Sequence, residues 1–158
     1  LFNALSTVEK SGKDFLLRFV GSIPPEMVNR IHTCFGPEKT EFVSYVEHPR
    51  AIRLMTNSSM LVLVIPNNKE NRAITPGKVF EYIATGKPVL YIGPADGDAA
   101  FHLIHCGYKG IFSENDSEGM AEFIIENMKT SKQMLAAHHL EYSRRALTNK
   151  LGGILNNI

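Results

Sequence analysis

Leu61-Val-Leu-Val-Ile65 is a continuous apolar run; the loop Pro66 to Ile74 follows it, and then comes Thr75-Pro-Gly-Lys-Val-Phe-Glu-Tyr-Ile-Ala-Thr-Gly-Lys-Pro88. That order predicts strand, loop, helix. A short run that is apolar at every position suits a strand buried on both faces. In the following segment Thr75 is the expected N-cap, Pro76 fits the first helical position because its missing N–H costs nothing there, and Gly86 before Pro88 ends the helix. Helical spacing predicts Val79, Phe80 and Ile83 on the core side and Lys78, Glu81 and Thr85 near one exposed face.

The same rhythm extends in both directions. Leu1 to Ser11 carries Leu1, Ala4, Leu5 and Val8 on one helical face, and Phe15 to Val20 reads as a strand ended by Gly21. Pro24-Pro25-Glu26 opens a helix with Met27, Ile31 and Phe35 inward, closed by Gly36-Pro37. Phe42 to Val46 reads as a short strand, and His48 or Pro49 opens a helix through Ile52 and Met55. Beyond Pro88 come a strand at Val89 to Ile92, a helix from Asp98 to His105, a short strand at Gly110 to Phe112, and helices from Ser117 to Lys129 and from Gln133 onward. Five strands alternating with helices predict a doubly wound parallel α/β sheet with helices on both faces, in which ligands bind beyond the carboxyl ends of the strands. A length of 158 residues with 44% hydrophobic and 21% charged content fits one domain with an ordinary core, residues 1–158.

A helix start after such a strand offers free N–H groups and the positive end of the helix dipole, so it favours an anion. Gly77 would let a phosphate approach the backbone. Side chains lean toward the helix N-terminus, so Glu81 would reach back over that site and accept hydrogen bonds from vicinal hydroxyls. Phosphate plus diol is the chemistry of a nucleotide, although a lone glutamate on a short helix is more often simply solvated.

Gly77-Lys-Val-Phe-Glu-Tyr-Ile-Ala-Thr-Gly-Lys-Pro-Val-Leu90 resembles the nucleotide-binding segment of GT-B glycosyltransferases of the family 4, or group 1, type. Phe19-Val20-Gly21, Phe42 to Val46 before His48-Pro49, and Tyr142-Ser143-Arg144 resemble that family's C-terminal half in the same order. The resemblance implies a Rossmann-like donor-binding domain belonging to a larger two-domain protein. The whole protein would transfer a sugar from a nucleotide diphosphate sugar to an acceptor held by an N-terminal domain, with retention of stereochemistry. It further implies a ribose role for Glu81, a diphosphate role for Gly77, Lys78 and Thr75, and nucleobase contacts at Tyr45 and Val46. No cofactor or catalytic metal is expected. The partners implied are the nucleotide sugar and that N-terminal half, through which any peripheral membrane contact would also run. A GT-B nucleotide-sugar epimerase and a degenerate, non-catalytic nucleotide-binding domain that kept the fold and lost donor chemistry are the alternatives.

Two departures from the family pattern stand out. The family's first carboxylate, seven residues before Glu81, falls on Ala73, which leaves Glu70 or Asn71 as substitutes and no residue to which a catalytic role can be carried. The family's first strand of this half, central in the sheet, has no counterpart before the helix at Leu1. The expectation is that its slot, between the strands at Phe15 to Val20 and Leu61 to Ile65, is filled by another segment or closed by its neighbours, since unpaired backbone in a core is costly.

Other classes find little support. Formal charge is +1, from 17 basic and 16 acidic residues, so the balance gives no reason to expect nucleic acid as a partner. Cys34 and Cys106 lack metal spacing and read as buried free thiols in a reducing, cytoplasmic setting. His102 and His105 share a helix face near Cys106 without a third ligand at suitable spacing, and His138-His139 would splay apart on a helix. Asp96-Gly97-Asp98 reads as a turn with an N-cap. The final helix carries Leu140, Leu147, Leu151, Ile154 and Ile158 toward one side, which predicts an apolar stripe that is exposed or covered by another surface.

Overall fold

The computed structural model describes residues 1–129 and 139–156; the expectations for a helix from Gln133 and for His138 and Ile158 lie outside them. The chain runs α1 (Phe2–Lys10), β1 (Leu17–Val20), α2 (Pro25–Phe35), β2 (Thr40–Val43), α3 (His48–Thr56) and β3 (Leu61–Val64). It continues through α4 (Lys78–Thr85), β4 (Val89–Ile92), α5 (Asp98–His105), β5 (Ile111–Phe112), α6 (Ser117–Lys129) and α7 (Arg144–Leu155). The fold is α/β with parallel strands flanked by helices, compatible with a Rossmann-like fold.

The strands form two sheets. β1 pairs with β2, Leu17 opposite Thr40, and β3, β4 and β5 pair in that order, Leu61 opposite Val89 and Ile92 opposite Phe112. Lateral closure between β1 and β3 is therefore not what occurs: among the described residues each pairs on one side only. The run Leu61 to Ile65 is correspondingly not buried throughout. Leu61, Leu63 and Ile65 are inside, whereas Val62 is 37% and Val64 57% exposed, because among the described residues no strand covers that flank.

β4 is buried at all four positions. Since side chains alternate across a strand, Val89 and Tyr91 face one apolar cluster and Leu90 and Ile92 the other. The first cluster takes Val79 and Ile83 of α4 with Ala99, Ala100 and Leu103 of α5. The second takes Ala4, Leu5 and Val8 of α1, Ile31 and Phe35 of α2, and Met120, Ala121 and Ile124 of α6, with Leu17, Phe19 and Phe42 of the smaller sheet packed against it. The two sheets thus share one helix layer although they do not share hydrogen bonds.

Four local expectations are corrected. β2 ends at Val43, not Val46, because Gly21, at φ 121°, turns the chain away after donating its N–H to Val43 O at 2.9 Å and leaves Tyr45 no strand to pair with. Cys34 is exposed, since Ile31 and Phe35 take the inward face of α2; only Cys106 is buried, and both thiols are free. Met27, at 43% exposed, also falls outside that face. In the C-terminal region Leu140 belongs to a 3-10 turn, His139–Tyr142, ahead of α7, and Leu147, Leu151 and Ile154 are exposed on α7. Among the described residues no helix is long and apolar enough to cross a membrane.

Ile83→Ala, at a position only 1% exposed, is expected to cost about 2–5 kcal/mol in denaturant unfolding, whereas Val64→Ala should cost under about 1 kcal/mol. A thiol reagent is expected to titrate Cys34 in the native state and Cys106 only after unfolding, because burial both shields that thiol and raises its pKa.

Candidate functional site

α4 is anchored by Val79 and Ile83, and its start faces the loop that leaves β3. It begins at Lys78 with Gly77 in the cap position, so Thr75 is not its N-cap and Pro76 is not its first residue. The reason is a tight entry. The Val79 N–H bonds Pro76 O at 2.9 Å and the Phe80 N–H bonds Gly77 O at 3.2 Å, so the chain winds through i to i−3 bonds before the helix proper. Among the described residues the backbone N–H groups of Gly77 and Lys78 have no backbone acceptor, which leaves them as the donors at this end. Gly77 has ordinary helical angles, φ −52° and ψ −29°, and a methyl group there would meet nothing within 4 Å. Its use is open space above the backbone rather than an unusual conformation.

Glu81 lies in the first turn rather than the second. Its Oε1 stands 3.9 Å from Nδ1 of His48, the first residue of α3, with the two side chains 35% and 69% exposed. His48 is the site residue that sequence spacing could not reveal: nothing local links a residue opening α3 to one in α4. Tyr45 and Val46 lie in the loop before α3. Tyr45 is 78% exposed and Val46 half-buried, and three residues of chain keep Tyr45 within about 11 Å of His48. Lys78 is exposed. Thr85 does not join this face, because its hydroxyl donates to Tyr82 O at 2.7 Å.

The loop between β3 and α4 contains a 3-10 turn, Glu70–Ala73. Ala73 is exposed there. Asn71 is engaged in holding the loop: its side-chain amide donates to Pro66 O and its backbone N–H to Asn68 Oδ1, both at 2.8 Å. Arg72 reaches Asp96 at 3.2 Å, tying this loop to the one after β4. Gly97 keeps the two loops close, since a Cβ there would stand 3.1 Å from Arg72 O. Gly97, not an aspartate, is the cap residue of α5, and no side chain caps that helix. A shallow recess lined by Ala95, Asp96, Gly97, Asp98, Phe101 and Ile104 lies next to this pair. Glu81, His48 and Gly77 do not line it; they form an open surface.

The flank of α4 carrying Phe80 is held by the C-terminal region. The Tyr142 hydroxyl meets His102 Nδ1 at 2.9 Å, with the Phe80 ring 5.2 Å from both rings, and His105 Nε2 lies 3.3 Å from Glu141. The histidines of α5 are therefore occupied by a tyrosine and a glutamate, and among the described residues no three metal-binding side chains converge. Tyr82, next to Glu81, points its hydroxyl at Val62 O, 3.4 Å away, and its pKa is raised by burial and by the Glu81 charge, so it stays protonated beside the site.

No protein-family model matches the chain, and no curated protein matches it.

Tyr142→Phe keeps the ring packing but removes the bond to His102, and is expected to lower stability by about 1 kcal/mol in thermal or denaturant unfolding.

Proposed function

We propose that this chain is the donor-binding half of a GT-B glycosyltransferase, binding a nucleotide diphosphate sugar at the start of α4. The observation that carries the reading is the position of Glu81 in the first turn of a helix that leaves β3, facing His48 at the start of a helix that leaves β2. The carboxylate and imidazole meet between the starts of two helices that follow parallel strands, and α4 also starts with two free backbone donors, the kind of edge where α/β proteins bind nucleotides.

Strand order supports the same assignment. α2 packs on the cluster facing Leu90 and Ile92, while α4 and α5 pack on the one facing Val89 and Tyr91. Right-handed crossovers then require β1 to β2 to advance in one direction and β3 to β4 to β5 in the other. β1 and β2 pair in one sheet, and β3, β4 and β5 pair in that order in the other. We read the two sheets as the two halves of a doubly wound arrangement whose reversal of direction falls between them.

In this reading Glu81 accepts hydrogen bonds from ribose hydroxyls. The Gly77 and Lys78 N–H groups and the Lys78 ammonium take the diphosphate. Charge that develops on the departing diphosphate is met by these fixed donors. Thr75 lines the approach, Tyr45 and Val46 flank the base, and the acceptor is held by another domain. Ala73 favours the second reading, a domain that binds nucleotide without catalysis, because no carboxylate stands at that place in the turn.

Calorimetric titration of the intact protein with uridine, guanosine and adenosine diphosphates tests this. At least one is expected to bind, and Glu81→Ala should weaken it by about tenfold or more, the loss of hydrogen bonds to a charged acceptor. Gly77→Ala should leave the unfolding midpoint nearly unchanged yet weaken the same ligand. Absence of binding by the wild type to all three would exclude both the glycosyltransferase and the binding-only readings.

A further inference from the structure

Sequence spacing gives His48 no role beyond opening a helix. At 3.9 Å from Glu81 Oε1, its Nδ1 is too far for a direct hydrogen bond, so neither group satisfies the other. The separation suits a third atom. An oxygen about 2.8 Å from each would see them at an angle of about 90°, which one hydroxyl can span by donating to the carboxylate and accepting from an imidazole N–H.

We propose that His48 and Glu81 together clasp one hydroxyl of the ribose, making His48 a binding residue that selects ribonucleotides over their deoxy counterparts. This rests on the nucleotide reading of the site. The hydroxyl donates its proton to Glu81 Oε1, and the Nδ1–H of His48 donates to the hydroxyl oxygen. His48 suits this task because it opens α3, where side chains lean toward the helix N-terminus and its open edge. At 69% exposed it contributes little to the core, so its replacement separates binding from folding. Arg50, on the same helix, forms no ion pair with Glu81 among the described contacts. The discrimination is large when a buried or paired polar group is left without its partner, and small when water replaces it. At this half-exposed site a loss of about tenfold per missing hydroxyl is expected.

The test is a ligand and side-chain cycle by calorimetry on the intact protein. Uridine, guanosine and adenosine diphosphates are each compared with their 2′-deoxy and 3′-deoxy forms, on the wild type, His48→Ala, His48→Asn and Glu81→Ala. The proposal expects His48→Ala to weaken the bound ribonucleotide about tenfold and to have no effect on the deoxy form that lacks the clasped hydroxyl. His48→Asn, whose amide N–H takes the place of Nδ1–H, should recover much of the affinity. Unchanged affinity in His48→Ala, or an equal loss for the ribo and both deoxy ligands, would overturn it. If the wild type binds and Glu81→Ala weakens binding while His48→Ala does neither harm nor discrimination, only the clasp fails. If the wild type binds none of the ligands, the nucleotide reading fails and the clasp with it.

Discussion

Burial of β4 on both faces is the constraint on which the rest of the structure depends. Val89, Leu90, Tyr91 and Ile92 are each at most 5% exposed, and they alternate between two apolar clusters. Pairing on both edges fixes the strand: Leu61 N–H bonds Pro88 O at 2.9 Å, Tyr91 N–H bonds Gly110 O at 2.7 Å, and Gly93 N–H bonds Phe112 O at 3.0 Å. A buried parallel strand needs such partners, because unpaired backbone without water is expensive. α4 rests on this strand through Val79 and Ile83. The carbonyl of Ile83 receives the hydroxyl of Tyr108, 3.4 Å away, whose pKa is pushed up to about 12, chiefly by burial. The position of Glu81 is thus inherited from the core.

The part of the molecule most legible in sequence is the part governed by local rules. Gly86 adopts the left-handed conformation, φ 65°, that its place before Lys87-Pro88 predicts, and α5 and α6 begin and end where Asp98, His105, Ser117 and Lys129 suggest. Apolar spacing also identifies Ala4, Leu5 and Val8, Ile31 and Phe35, and Val79 and Ile83 as core. What sequence misplaces depends on a distant partner. Tyr45 and Val46 leave the strand because β1 stops opposite Val43; Val62 and Val64 are exposed because β3 pairs on one side; Cys34 is exposed because its neighbours on α2 take the inward face. The start of α4 differs for a local reason that cap statistics hide, the tight bonding of Val79 and Phe80 across Pro76-Gly77.

The candidate site follows the same division. Gly77, Lys78 and Glu81 are read from one segment, since a helix start places them together. His48 and the Arg72–Asp96 pair appear only in three dimensions, because their partners come from separate elements. The site carries no strong excess of one charge. His48 faces Glu81, Arg72 is matched by Asp96, and the chain as a whole is close to neutral at +1. Recognition here would rest on directed hydrogen bonds at short range rather than on long-range attraction of an anion.

Backbone amide shifts followed by NMR during addition of a nucleoside diphosphate test the central claim most directly. The account predicts that the largest changes cluster at Gly77 to Glu81 and at Tyr45 to His48, two segments far apart in sequence that meet where His48 faces Glu81. Changes confined to the recess at Ala95 to Ile104 or to α7, or the absence of any change at saturating nucleotide, would contradict it.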